Sequence, residues 1–162
     1  MARIELETRI QAPIERCFDA ARDIGLHVRL ASRSKERAIA GKIKGLIGEN
    51  EWVSFRARHF GISFVLTARI TQFEAPQRFV DEQIKGPFAR LQHTHEFESF
   101  GSNRTLMRDI IEFECPFGIL GRIAQPIVER HLRAFLIERS RRLKRWLETR
   151  KAEVSETSER IT

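Results

Sequence analysis

The sequence has no tyrosine, two cysteines, five prolines and no long apolar run among its 162 residues. Each shortage excludes something. Cys17 and Cys115 lie far apart and no secretory leader precedes the first patterned segment, which points to a reducing, cytosolic setting and away from a disulfide framework. No stretch approaches the ~20 apolar residues of a membrane span. There is no phosphate-binding loop, no dinucleotide fingerprint, no Gly-x-Ser-x-Gly and no cysteine cluster, so no cofactor and no nucleophile is indicated. Ser54 and Ser63 stand alone in strand-like sequence, and Cys17 suits a small buried hydrophobe.

In place of tyrosine there are twelve phenylalanines. Phe brings apolar area without a hydroxyl to satisfy, which fits a dry core or the wall of an apolar pocket. Hydrophobic residues make up 41% and charged residues 31%, a globular composition. The net charge of +7 is concentrated: between Glu129 and Lys151 there are nine Lys or Arg against three Glu. Basic character therefore belongs to one element.

Residues 3–10 alternate, with Ile4, Leu6, Thr8 and Ile10 on one side, and predict a strand. Ala12-Pro13 ends it, and Ile14, Cys17, Phe18 and Ala21 follow at helical spacing. Asp23 can cap a second short helix. Six strands are expected near 36–44, 50–59, 62–73, 78–85, 90–100 and 104–114, with separators short enough for an antiparallel meander. A last apolar stripe runs through Leu120, Ile123, Ala124, Ile127, Val128, Leu132, Phe135, Leu136, Leu143, Trp146 and Leu147. Pro126 predicts a kink or break and a main helix from about 126 to 149. Residues 1–149 read as one domain, and 150–162 as a polar, disordered tail. The fold class expected is α+β: a curved seven-stranded antiparallel sheet, two short helices after its first strand, and a long C-terminal helix across its apolar face.

Several segments resemble the START-like (SRPBCC) superfamily, which has the helix-grip fold. Ile10 to Phe18 is similar to the opening of its polyketide cyclase/dehydrase-like branch. Arg58-His59-Phe60-Gly61, Phe79 to Gln83 with Gly86-Pro87-Phe88, and His93 to Phe97 resemble a bacterial subgroup labelled as cyclases or cell-division inhibitors. Met107-Arg108-Asp109 and Pro116 to Gly121 match its last strand and the start of its final helix. The likeness covers roughly residues 3–149, and Leu91 stands where relatives carry Trp. It implies an apolar cavity between sheet and helix, and a fold shared by carriers, cyclases and regulators.

Alternation in residues 90–98 turns Leu91, His93, His95 and Phe97 inward, and in the next strand Met107, Asp109, Ile111 and Phe113. Phe79, Asp81 and Gln83 form a third inward row. His93, His95, Asp109 and Asp81 should then share a wall, equipment for acid–base chemistry or for fixing a ligand. With no nucleophile or cofactor motif beside them, ligand orientation or a self-satisfied polar network is the first expectation, and His93, His95 and Asp109 are the candidates if there is catalysis. No metal is expected: His93-x-His95 with Asp109 as third ligand would make a poor site. Phe64, Leu66 and the helix residues Ile123, Ile127 and His131 complete the expected pocket. The function expected is binding of a small hydrophobic molecule that is lipid-, sterol- or polyketide-like. One alternative is a cyclase, aromatase or dehydratase in the same cavity. The other is docking of an anionic partner on the basic helix through Arg139, Arg141, Arg142, Lys144 and Arg145, as the superfamily resemblance to a ribosome-associated member suggests.

Overall fold

The computed structural model describes residues 1–31 and 34–159, with side chains described as far as Thr149. β1 (Ala2–Ile10) is followed by α1 (Ile14–Arg22) and α2 (Ile24–Leu30). Six strands come next: β2 (Arg37–Gly41), β3 (Trp52–His59), β4 (Ile62–Glu74), β5 (Arg78–Lys85), β6 (Arg90–Ser99) and β7 (Thr105–Glu114). α3 (Gly118–Glu159) closes the chain. All seven strands form one sheet in the order β1-β7-β6-β5-β4-β3-β2, antiparallel throughout. The sequence places each strand to within a few residues, because alternation is unambiguous where one face is buried.

Local chemistry sets the joints. The Asp23 carboxylate accepts a hydrogen bond from the Leu26 N–H at 3.0 Å and caps α2. Gly41 ends β2 with φ at +72° against the Trp52 carbonyl, where a side chain would collide. At the start of α3, Gly121 packs on the Cys115 and Pro116 carbonyls and lets the helix fold back tightly from β7.

Two features of α3 differ from expectation. The helix begins at Gly118 and runs unbroken through Pro126. Proline there removes one backbone donor, and the remaining ladder carries the helix past it. It also extends beyond Thr149 to Glu159, through a stretch with no Gly or Pro, where the sequence predicts a disordered tail. The last residues of that expected tail, 160–162, lie outside the described residues.

Two cores hold the layers together. One joins Phe18 of α1 edge-on to Phe73, Phe79 and Phe97, with Met107, Leu143 and Leu147 beside them. The other gathers Ile4, Leu91, Ile111, Phe113 and Leu136. On β7 the inward residues of the two cores, Met107 and Ile111, flank Asp109. A polar position therefore sits between two apolar ones on the same face.

Candidate functional site

A cavity of about 390 Å3 opens between the sheet and α3. Phe55, Phe64, Leu66, Phe79 and Leu91 line it from the strands, and Val128, Leu132, Phe135 and Leu136 from the helix. All five histidines of the chain, His27, His59, His93, His95 and His131, also line it. Polar groups on an otherwise apolar wall mark where a ligand's polar atom can be held.

The inner polar cluster follows from strand register. Asp81 pairs with His93 across β5 and β6, and His95 with Asp109 across β6 and β7. Asp109 is excluded from solvent. Its Oδ1 lies 3.1 Å from His93 Nε2, 2.9 Å from His95 Nδ1 and 3.2 Å from an Arg139 guanidinium nitrogen. The Ser140 hydroxyl donates to Oδ2 at 3.3 Å. The His95 Nδ1 contact is close but misaligned for a hydrogen bond, so it acts through charge. On the other side of the imidazoles, Asp81 Oδ2 lies 3.3 Å from His95 Nε2 and 3.9 Å from His93 Nδ1. Each ring is thus held between a buried carboxylate and a cavity-facing one.

The network continues away from the sheet. Arg139 reaches His27 Nδ1 at 3.4 Å, and His27 Nε2 meets Glu36 at 2.8 Å. His27 stacks on Phe55, and His95 on Phe79. Also on the cavity wall, His59 Nδ1 and His131 Nε2 form a hydrogen bond of 2.9 Å, joining β3 to α3.

Burial and charge set the protonation of this wall. Burial would raise Asp109, but His93, His95 and Arg139 overturn that and hold it well below the usual carboxylate range. Asp81 is lowered for the same kind of reason, by His95 and then His93 against its burial. Burial, aided by the neighbouring His95, pushes His93 down to about 4. Burial also opposes the charge on His95, yet Asp109 and Asp81 raise it above the ordinary imidazole value. Two imidazoles with ring centroids 3.8 Å apart are therefore driven in opposite directions.

Asp81, His93 and His95 are also the residues that could hold a metal, each offering a ligand atom within 4.8 Å of the others. The third ligand would be Asp81 and not Asp109, which faces the other nitrogen of each ring. The same atoms already form a charge-matched set, with the Asp81 and Asp109 carboxylates around Arg139 and a His95 imidazole whose charged form they favour.

Of the residues expected at the pocket, Phe64, Leu66, Phe79, Asp81, Leu91, His93, His95 and His131 line it. Phe97 and Met107 are in the first core and Phe113 in the second, buried by neighbouring side chains on the same sheet face. Asp109 stands behind the histidines. Gln83 turns to the next hairpin, donating to the Phe88 carbonyl at 2.8 Å. Ile123 and Ile127 face outward, 70% and 65% exposed, because the N-terminal turns of α3 carry a second apolar face away from the cavity. The basic helix face is also thinner than expected. Arg139 points inward, Arg142 pairs with Glu138 and Lys144 with Glu148, which leaves Arg141 and Arg145 exposed.

The sequence reading missed His27, Glu36, His59 and Ser140 as residues of this site and set Arg139 on the outer basic face. For the last two a signal existed: they fill the places in the apolar stripe between Leu136 and Leu143 where hydrophobic residues belong. His27, Glu36 and His59 come from separate elements, and no local pattern joins them.

No family model and no curated protein matches this sequence. Solved structures do. A protein from Chromobacterium violaceum is 13% identical with a TM-score of 0.71, over 91% of this chain and 99% of its own. A START superfamily protein from Mycobacterium smegmatis is 12% identical with a TM-score of 0.69, over 91% and 97%. A protein from Thermus thermophilus is 18% identical with a TM-score of 0.69, over 88% and 97%. Identities this low speak for the fold, which is START-like and helix-grip. Among the described residues, no helix is long and apolar enough to cross a membrane.

Proposed function

We propose that this protein binds a small, mostly apolar molecule of lipid-, sterol- or polyketide-like character between the sheet and α3. The observation that carries the reading is the cavity itself, about 390 Å3 with a mostly apolar wall and an inner polar cluster. Packed interiors leave few voids larger than a water molecule, and small-molecule sites begin at about 300 Å3. Phe64, Leu66, Leu91 and Leu132 supply contact area. His93, His95, Asp81 and Arg139 offer donors and acceptors to a single hydroxyl, carbonyl or carboxyl group. The test is native mass spectrometry of protein purified from its own host, before and after organic extraction. A retained apolar molecule is the expected result. A single unliganded mass, with no uptake of an apolar fluorescent probe, would contradict the reading.

A second reading, a cyclase or dehydratase acting on a polyketide-like substrate, is favoured by the opposed shifts of His93 and His95. Burial holds His93 neutral while Asp109 and Asp81 favour a proton on His95, which offers a base and an acid in one wall. His93 would take a proton from carbon, and His95 would give one to a departing hydroxyl, releasing water and leaving a double bond. Gln in place of either histidine separates the readings: turnover is lost if they are acid and base, whereas binding is only weakened if they are anchors.

A further inference from the structure

The mouth of the cavity is an apolar surface. Phe60 and Phe117 line the cavity and are also 56% and 83% exposed, so they mark where it opens. Beside them Ile62 is largely exposed, and so are Ile119, Leu120, Ile123 and Ile127 of α3. At about 3.6 residues per turn those four share one face of the helix, distinct from the face that lines the cavity. The β3–β4 hairpin and α3 are continuous here, since Phe60 packs on His131 with centroids 4.3 Å apart and His59 bonds His131. Apolar side chains gathered this densely on a surface mark an interaction site.

Charge indicates what covers it. From Trp52 to Phe73 and from Cys115 to Val128 the sequence holds no carboxylate at all. Arg58, Arg122 and Arg130 are exposed on these two arms, and no ion pair engages them among the described residues. The nearest helix carboxylate, Glu129, is taken by Arg133 at 3.4 Å. An apolar helix face edged with arginine is the pattern of a helix lying in a lipid interface, with guanidinium groups at headgroup level. A two-fold dimer through this face would bring Arg58, Arg122 and Arg130 of both copies to one surface with no carboxylate from either arm to pair them.

We propose that the cavity mouth docks on an anionic lipid surface, with Ile119, Leu120, Ile123, Ile127 and Phe117 entering the headgroup layer and Arg122 and Arg130 engaging lipid phosphates. The docking does not depend on what the cavity holds. It also places the opening against an apolar phase, the source from which a sparingly soluble ligand would enter.

The experiment is co-flotation with vesicles of phosphatidylglycerol and phosphatidylcholine against vesicles of phosphatidylcholine alone, at low and physiological salt. The unmodified protein should float with the anionic vesicles, more weakly with the neutral ones, and less as salt rises. Ile123→Asp with Ile127→Asp should abolish flotation without changing the melting temperature. Arg122→Gln with Arg130→Gln should weaken it roughly tenfold or more, since each basic residue near an anionic surface contributes about a fivefold factor. No flotation of the unmodified protein, or flotation undiminished in the isoleucine variant, overturns the proposal. A concentration-dependent dimer dissolved by the isoleucine variant, with no vesicle binding, overturns it as well and gives the face to a second copy.

Discussion

Arg139 of α3 and Asp109 of β7 meet 3.2 Å apart in the interior, and Asp109 has no contact with solvent. The pair fastens the long helix to the sheet from below the cavity. It also fixes the imidazoles of His93 and His95, which share the same carboxylate oxygen.

Removing Asp109 should therefore be costly. Asp109→Ala takes from the buried Arg139 the carboxylate it touches and frees Ser140 and both histidines, a loss of about 3–5 kcal/mol in denaturant unfolding. Asp109→Asn, which keeps the shape, should lose less. A cost below about 1 kcal/mol for the alanine variant would mean the network does not anchor the helix.

The two faces of α3 give a second expectation. Leu136 is buried, and Leu136→Ala should cost about 2–5 kcal/mol. Ile123→Ala, at 70% exposure, should stay within roughly half a kcal/mol. Phe135 lines the cavity and is half-buried, so Phe135→Ala should fall short of the ~3–5 kcal/mol of a fully packed aromatic. Thermal or chemical unfolding of the three variants checks the order, and equal costs at positions 123 and 136 would show that the faces are misassigned.

What was legible in the sequence follows from what a local pattern can report. Alternation names the inward residues of β5, β6 and β7, so Asp81, His93, His95 and Asp109 emerge together. A helical stripe reports only periodicity. It cannot tell that Leu132 and Leu136 meet the sheet side while Ile123 and Ile127 face away, because both sets repeat at three and four residues. Arg139 reads as part of a basic face when charge is counted along the chain. Its inward direction depends on Asp109, thirty residues away and on another element.

Acid should weaken the fold through His93. Its value falls from 6.5 to about 4 on folding, so between those two pH values the unfolded chain binds the extra proton and stability drops as pH is lowered. His59 and His131 are lowered too and act in the same direction. His95 is raised, and its contribution is present at low pH and lost as pH rises through its folded value. Melting temperatures from pH 7 to 4 should decline, with a shallower slope in His93→Gln. An unchanged slope in that variant would show that His93 does not titrate as described.

The cavity is tested most directly by titrating an apolar fluorescent probe against the unmodified protein and against Ala57→Trp, which places an indole in the cavity wall. The account predicts saturable binding of one probe per chain, displaced by long-chain fatty acids or sterol-like compounds, and lost in Ala57→Trp at unchanged melting temperature. Probe binding that survives in the filled variant, or none in the unmodified protein, would contradict a ligand cavity between sheet and helix.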